Sequence, residues 1–149
     1  MVDESATGAR QFRKLREEKM KYLALIAALA ATPSLAGSPT GIYQTEPGDS
    51  GGFLYVSIAP CGSDAALTCG TILAAYDKTG TRDDAYQHLG KPIVWDMVDD
   101  GDGSWSGGMI WAPDRDKTYS SNMELQGSNL RVEGCVAIIC RGQTWRRVQ

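Results

Sequence analysis

The chain holds one histidine, His88, among 149 residues. A Ser–His–Asp triad depends on that residue type, in a compatible order along the chain. The stretch "GDSGG", Gly48 to Gly52, has the residues that surround a trypsin-like nucleophile. In that class the histidine precedes the serine; here His88 follows Ser50. The G-x-S-x-G elbow of other hydrolases needs a helix after its turn. "GGFLYVSIAP" follows instead, which is a strand pattern. Ser50 is therefore read as turn chemistry between two strands, and His88 as a solvated loop residue.

Tight metal-ligand spacing is also missing. Cys61 and Cys69 have seven residues between them, Cys135 and Cys140 four, so no C-x₂-C zinc or redox pair exists. "DDGDGS", Asp99 to Ser104, has the look of a calcium loop, but counting on from Asp99 or Asp100 gives Ile110 or Trp111 where an EF-hand needs a bidentate Glu. It is read as an acidic hairpin turn. No catalytic residue, metal site or cofactor is expected, and the protein is not expected to be an enzyme.

Long apolar runs are lacking as well. Tyr22 to Ala31 is uncharged and free of proline, too short for a span of roughly 20 residues. Lys21 before it, and Ser34 and Ala36 in "PSLA" after it, complete the pattern of a secretory signal peptide over residues 1–36. Residues 1–19 mix charges of both signs, and Met20 is the better start. The remaining 37–149 suit one domain, located in the periplasm or secreted. Its nine Lys and Arg against fourteen Asp and Glu exclude nucleic acid as a partner. No polybasic run and no Cys at the cleavage point provide a stable membrane anchor.

Export makes disulfides the default use of the four cysteines. Three pairings exist. Short spacing favours Cys61–Cys69 and Cys135–Cys140, each contributing roughly 2–2.5 kcal/mol through loop entropy.

What is abundant is turn chemistry. Most of the 17 glycines fall after residue 36, with turn signals every eight to twelve residues. Strands are expected over 41–45, 52–59, 70–76, 93–98, 104–111, 117–126, 129–136 and 143–148. Residues 77–92 form a long loop. Taking Asp99–Gly103 and Ala112–Asp116 as five-residue loops and Gly127-Ser128 as a two-residue turn sets a register. Met97 then faces Trp105, Trp95 faces Gly107, Met109 faces Tyr119, Trp105 faces Met123, and Met123 faces Val132. One face collects Ile93, Trp95, Met97, Trp105, Met109, Tyr119, Met123, Leu125, Leu130 and Val132. The opposite face is polar.

Eight short strands with open edges invite aggregation, and closure into a single antiparallel barrel removes the edges. Such a barrel is either filled or just large enough for one small ligand. The ligand-binding reading takes Trp95, Met97, Trp105, Met109, Trp111, Lys117, Tyr119 and Met123 as the interior and mouth, with Trp111 opposite Lys117 as a grip for an amphiphile. A monomer holding a small apolar or amphiphilic ligand is the expectation; the alternative is an envelope interaction module with a filled barrel.

The C-terminal half also carries a resemblance. "WSGGMIWAPDRDKTYSSNMEL" and "LRVEGCVAIICRGQTWRRV" resemble the motifs of a family of small exported bacterial proteins, the domain-of-unknown-function family numbered 2147. Trp105, Gly107, Gly108, Ile110, Pro113, Lys117 and Tyr119 match the first motif. Gly134, Cys135, Cys140, Arg141, Gln143, Thr144, Trp145 and Arg146 match the second. Cys61-Gly62, Cys69-Gly70 and Gly90 to Ile93 fit upstream. Trp111-Ala112 replaces the family's Tyr-Asp, Asp116 its Gly, and Tyr43 the Trp of its opening motif. The resemblance implies a lipocalin-like (calycin-type) barrel of meander topology and no reaction.

Overall fold

The computed structural model describes residues 37–149. The expected signal peptide, with its start at Met20, lies outside the described residues.

Eight strands follow one another: β1 Gly41–Gln44, β2 Phe53–Pro60, β3 Leu67–Tyr76, β4 Pro92–Gly101, β5 Ser104–Ala112, β6 Lys117–Gln126, β7 Asn129–Val136 and β8 Ile139–Arg147. Each pairs antiparallel with the next, and β1 pairs with β8, closing the barrel at Tyr43↔Arg147 and Gln44↔Arg146. Alternating apolar residues make the inner face. Among the described residues no helix is long and apolar enough to cross a membrane.

One end of the barrel is filled. Tyr43, Ile58, Met97, Trp105, Met123 and Leu130 are buried in a single cluster there. Arg147 closes this end. Its guanidinium donates to the carbonyls of Thr40 (2.7 Å) and Ser38 (3.1 Å) and to the Tyr43 hydroxyl, and it lies 4.8 Å over the Tyr43 ring.

The far hairpin has the expected register. Met123 faces Val132, Leu125 faces Leu130, and Gly127-Ser128 is the turn. Trp105 faces Met123 as expected. The β4–β5 hairpin differs. Its turn is the two-residue Asp102-Gly103, with φ of 55° and 78°, and a one-residue register shift between Asp99 and Gly101 then sets Asp99 opposite Trp105 and Trp95 opposite Met109. Positive φ at both central residues is the type I′ geometry that matches strand twist, which a five-residue loop does not require.

Between Trp95↔Met109 and Val98↔Ser106 the ladder is interrupted, and here Asp96 (φ 57°) and Gly107 (φ 74°) both turn left-handed. Alternation breaks across this point in both strands. Met97 and Trp105 point inward on one side of it, and Val94, Gly108 and Ile110 on the other. Trp95 and Met109 therefore pair on the outer face, half-buried, rather than inside. The same irregularity moves β6 by one residue, so Tyr119 faces Ile110 and Met109 faces Ser120. The β5–β6 loop is correspondingly Pro113 to Asp116, with Ala112 opposite Lys117.

Both local disulfides form. Cys61–Cys69 joins the ends of β2 and β3, and Cys135–Cys140 crosses the β7–β8 hairpin, with Cα atoms 4.9 and 4.0 Å apart.

Candidate functional site

The other end of the barrel is open. A cavity of about 1070 Å³ lies between the β1–β2, β3–β4 and β5–β6 loops and the β7–β8 turn. Inward positions build it. Leu54 of β2, Ala75 of β3, Ile110 of β5 and Val132 of β7 form apolar walls, and Trp145 of β8 belongs to both the cavity lining and the buried core. Tyr119 adds a phenol from β6.

Strand β8 supplies the polar groups. Arg141, Gln143 and Trp145 stand two residues apart, so strand alternation puts all three on the cavity side. The Trp145 indole N–H donates to Gln143 Oε1 at 3.0 Å. That bond satisfies a buried donor and occupies the Gln143 carbonyl oxygen, and Gln143 itself lines the cavity. Arg141 lines the cavity, and among the described residues no hydrogen bond or ion pair holds its guanidinium. Its neighbour across the hairpin is Gly134, whose lack of a side chain leaves room for Ile110 and Tyr119 on the cavity wall.

The rim is stitched between loops. The Asp49 backbone N–H donates to Asp114 Oδ2 at 3.1 Å, and Arg115 lies 3.5 Å from the Asp49 carboxylate. That carboxylate raises the Arg115 pKa. The Tyr86 phenol is pushed up, first by burial and then by Asp114 and Asp83. Ser50 is part of the β1–β2 turn; its hydroxyl oxygen accepts from the Gly52 N–H at 3.4 Å.

The residues expected to bind ligand divide. Tyr119 and Trp111 line the cavity. Met97, Trp105 and Met123 are inside but buried in the filled end. Trp95 and Met109 are outside, for the reason given above. Lys117 is exposed, faces Ala112 rather than Trp111, and lies off the cavity lining. The pairing of Trp111 with Lys117 is thus corrected by the one-residue shift in β5–β6. Trp111 faces Thr118, its indole N–H donates to Asp116 Oδ1 at 3.0 Å, and its cation is Lys91 at 6.0 Å. His88 is not free in solvent: its ring meets Trp111 edge-on at 4.8 Å and its Nδ1 is 3.0 Å from Lys91 Nζ. The site residues absent from the sequence reading are Arg141, Gln143 and Trp145. Their spacing of two was the available signal, inside a motif matched only as a string.

Comparison with known proteins fits this geometry. The family described as "Uncharacterized protein conserved in bacteria (DUF2147)" matches residues 41–147. No curated protein matches the chain in sequence. Among solved structures, the chain is similar to HP1028 from the human pathogen Helicobacter pylori, described as belonging to the lipocalin family. The TM-score is 0.58 at 16% identity, covering 75% of this chain and 84% of that one. At that identity the likeness concerns the fold.

Proposed function

From a chain that belongs to the DUF2147 family and folds as a lipocalin-like barrel, we propose a protein that binds a small anionic amphiphile in its open end. The carrying observation is the cavity whose lining includes the exposed Arg141, a guanidinium with no ion pair among the described residues. Its volume, about 1070 Å³, is that of a site for a small molecule with an aliphatic tail. The tail would rest on Leu54, Ile110, Val132 and Trp145. A carboxylate or similar head would accept hydrogen bonds from Arg141 and from the Gln143 amide, the geometry that guanidinium serves best.

The protein binds and does not transform its ligand in this reading, and acts as a monomer. Its place is the periplasm or the exterior of the cell. Two disulfides and the leader-like residues 1–36 support that location. The interaction-module alternative assumed a filled barrel, and the cavity counts against it.

Titration with a fluorescent fatty-acid analogue tests the reading. Binding should saturate. Arg141→Gln should weaken it about tenfold, the loss of a charge-assisted hydrogen bond. Ile110→Trp should block it by filling the cavity. Lys117→Ala and Met109→Trp, both off the cavity, should leave it unchanged. A well-folded wild type with no saturable binding would sink the proposal.

A further inference from the structure

The β7–β8 hairpin reverses through Ala137 and Ile138, just beyond the Cys135–Cys140 disulfide. Two-residue turns favour Gly, Asn or Asp, because a central residue takes positive φ. Ala137 takes φ 53° without that help. The whole run Val136-Ala137-Ile138-Ile139 lacks a polar side chain. Ile138 is 97% exposed, Ile139 70% and Val136 63%. Nothing in the packing of the barrel requires apolar residues there. A polar turn would close the hairpin at lower cost, and the disulfide holds this one shut.

Two further features surround the tip. Val136 and Ile139 also line the cavity, so apolar surface continues from the interior over the lip to Ile138. Cations flank it. Arg141 lies on β8, two residues beyond Ile139. Lys117 lies on β6, three residues beyond Ser120 toward the same end, and Ser120 pairs with Cys135. Register therefore sets Lys117 level with the tip. Among the described residues neither cation forms an ion pair.

We infer that this tip docks on a lipid surface, with Ile138 and Ile139 entering the acyl boundary and Lys117 remaining at the level of the lipid phosphates. A protein partner fits less well. Three aliphatic side chains fall short of the roughly 800 Å² per partner that a stable protein interface buries. A bilayer needs no complementary shape. The other rim loops carry Asp49, Asp77, Asp83 and Asp114, so contact is confined to the β7–β8 side and the barrel leans on it. The inference rests on the ligand-binding reading: a mouth at the membrane gives an amphiphile a route that avoids water.

The test uses vesicles of phosphatidylethanolamine and phosphatidylglycerol, and protein purified in the form its host leaves it. Wild type should co-sediment with the vesicles. Ile138→Asp should lower partitioning at least tenfold, and Ile138→Leu should retain it. Saturable binding of the fluorescent fatty-acid analogue, in solution without vesicles, should be equal in all three. That second readout separates a failure of docking from a failure of ligand binding. No sedimentation of the wild type, or equal sedimentation of Ile138→Asp, would overturn the inference. So would a dimer that Ile138→Asp abolishes without any vesicle binding, which would assign the tip to a second copy.

Discussion

Gly108 shows how one side chain, or its lack, decides local structure. It faces inward where β4 and β5 both lose their regular ladder. A Cβ added there would press on the Met97 sulfur and the Trp95 carbonyl, and lie 2.9 Å from the Met97 amide nitrogen. Backbone cannot move aside as a flexible side chain can. Gly108→Val should destabilise the barrel by about 2–3 kcal/mol or more, read from urea unfolding. Tyr43 makes a pH prediction. Burial raises its phenol pKa, and Arg147 opposes that more weakly. The unfolded chain therefore ionises first, near pH 10. The neutral phenol's contribution is fully present below that value and is lost as pH rises toward the folded pKa. Thermal stability should fall more steeply above pH 10 in the wild type than in Tyr43→Phe.

At the scale of elements, the irregular stretch of β4 and β5 shapes the site more than any loop. It changes which residues face inward. Through it Ile110, not Met109, reaches the cavity, and Tyr119 comes to face Ile110. Asp96 tolerates its φ of 57° because a short polar side chain accepts the left-handed region. A β-branched residue does not. Asp96→Val should cost about 1–2 kcal/mol; it should also reduce fatty-acid binding, because a relaxed strand would return Ile110 to the outer face. Full stability and full binding in this variant would show that the irregularity is incidental. Asp102-Gly103 was the legible part of this hairpin, a two-residue turn signal hidden in an acidic run. The β7–β8 turn was not legible, since Ala137-Ile138 carries none of the usual turn residues.

For the whole molecule, the division into a filled end and an open end sets the energetics. Tyr43, Trp105, Met97, Met123 and Leu130 provide the core, with Arg147 as its plug. The open end gives up such packing, so a bound ligand should add stability the free barrel lacks. Ligand at a hundred times its Kd stabilises by about 2.7 kcal/mol. For a domain of this size that is a rise in Tm on the order of 10 °C. Differential scanning fluorimetry with a saturating medium-chain fatty acid should show it for the wild type and not for Ile110→Trp.

The strand count, the closed antiparallel meander and both disulfides were contained in the sequence. Periodicity of two and turn residues at short intervals are local signals, and cysteines a few residues apart on a hairpin have few other partners. Motif resemblance pointed to the same barrel. The β6–β7 register followed from Gly127-Ser128 alone. What tertiary structure decided was the side of the wall on which particular residues lie. Trp95 and Met109 have the apolar character of interior residues, yet two left-handed residues on neighbouring strands turn them outward together. Left-handed Asp96 has no local signature, because it lies inside an apolar-alternating strand, at a point where the ladder with β5 is interrupted, and not in a turn. The cavity is likewise a property of closure. Lys117 lies off its lining and opposite Ala112 rather than Trp111, since a shift of one residue across a barrel changes which side chains meet, and no alternation within a single strand reports that shift.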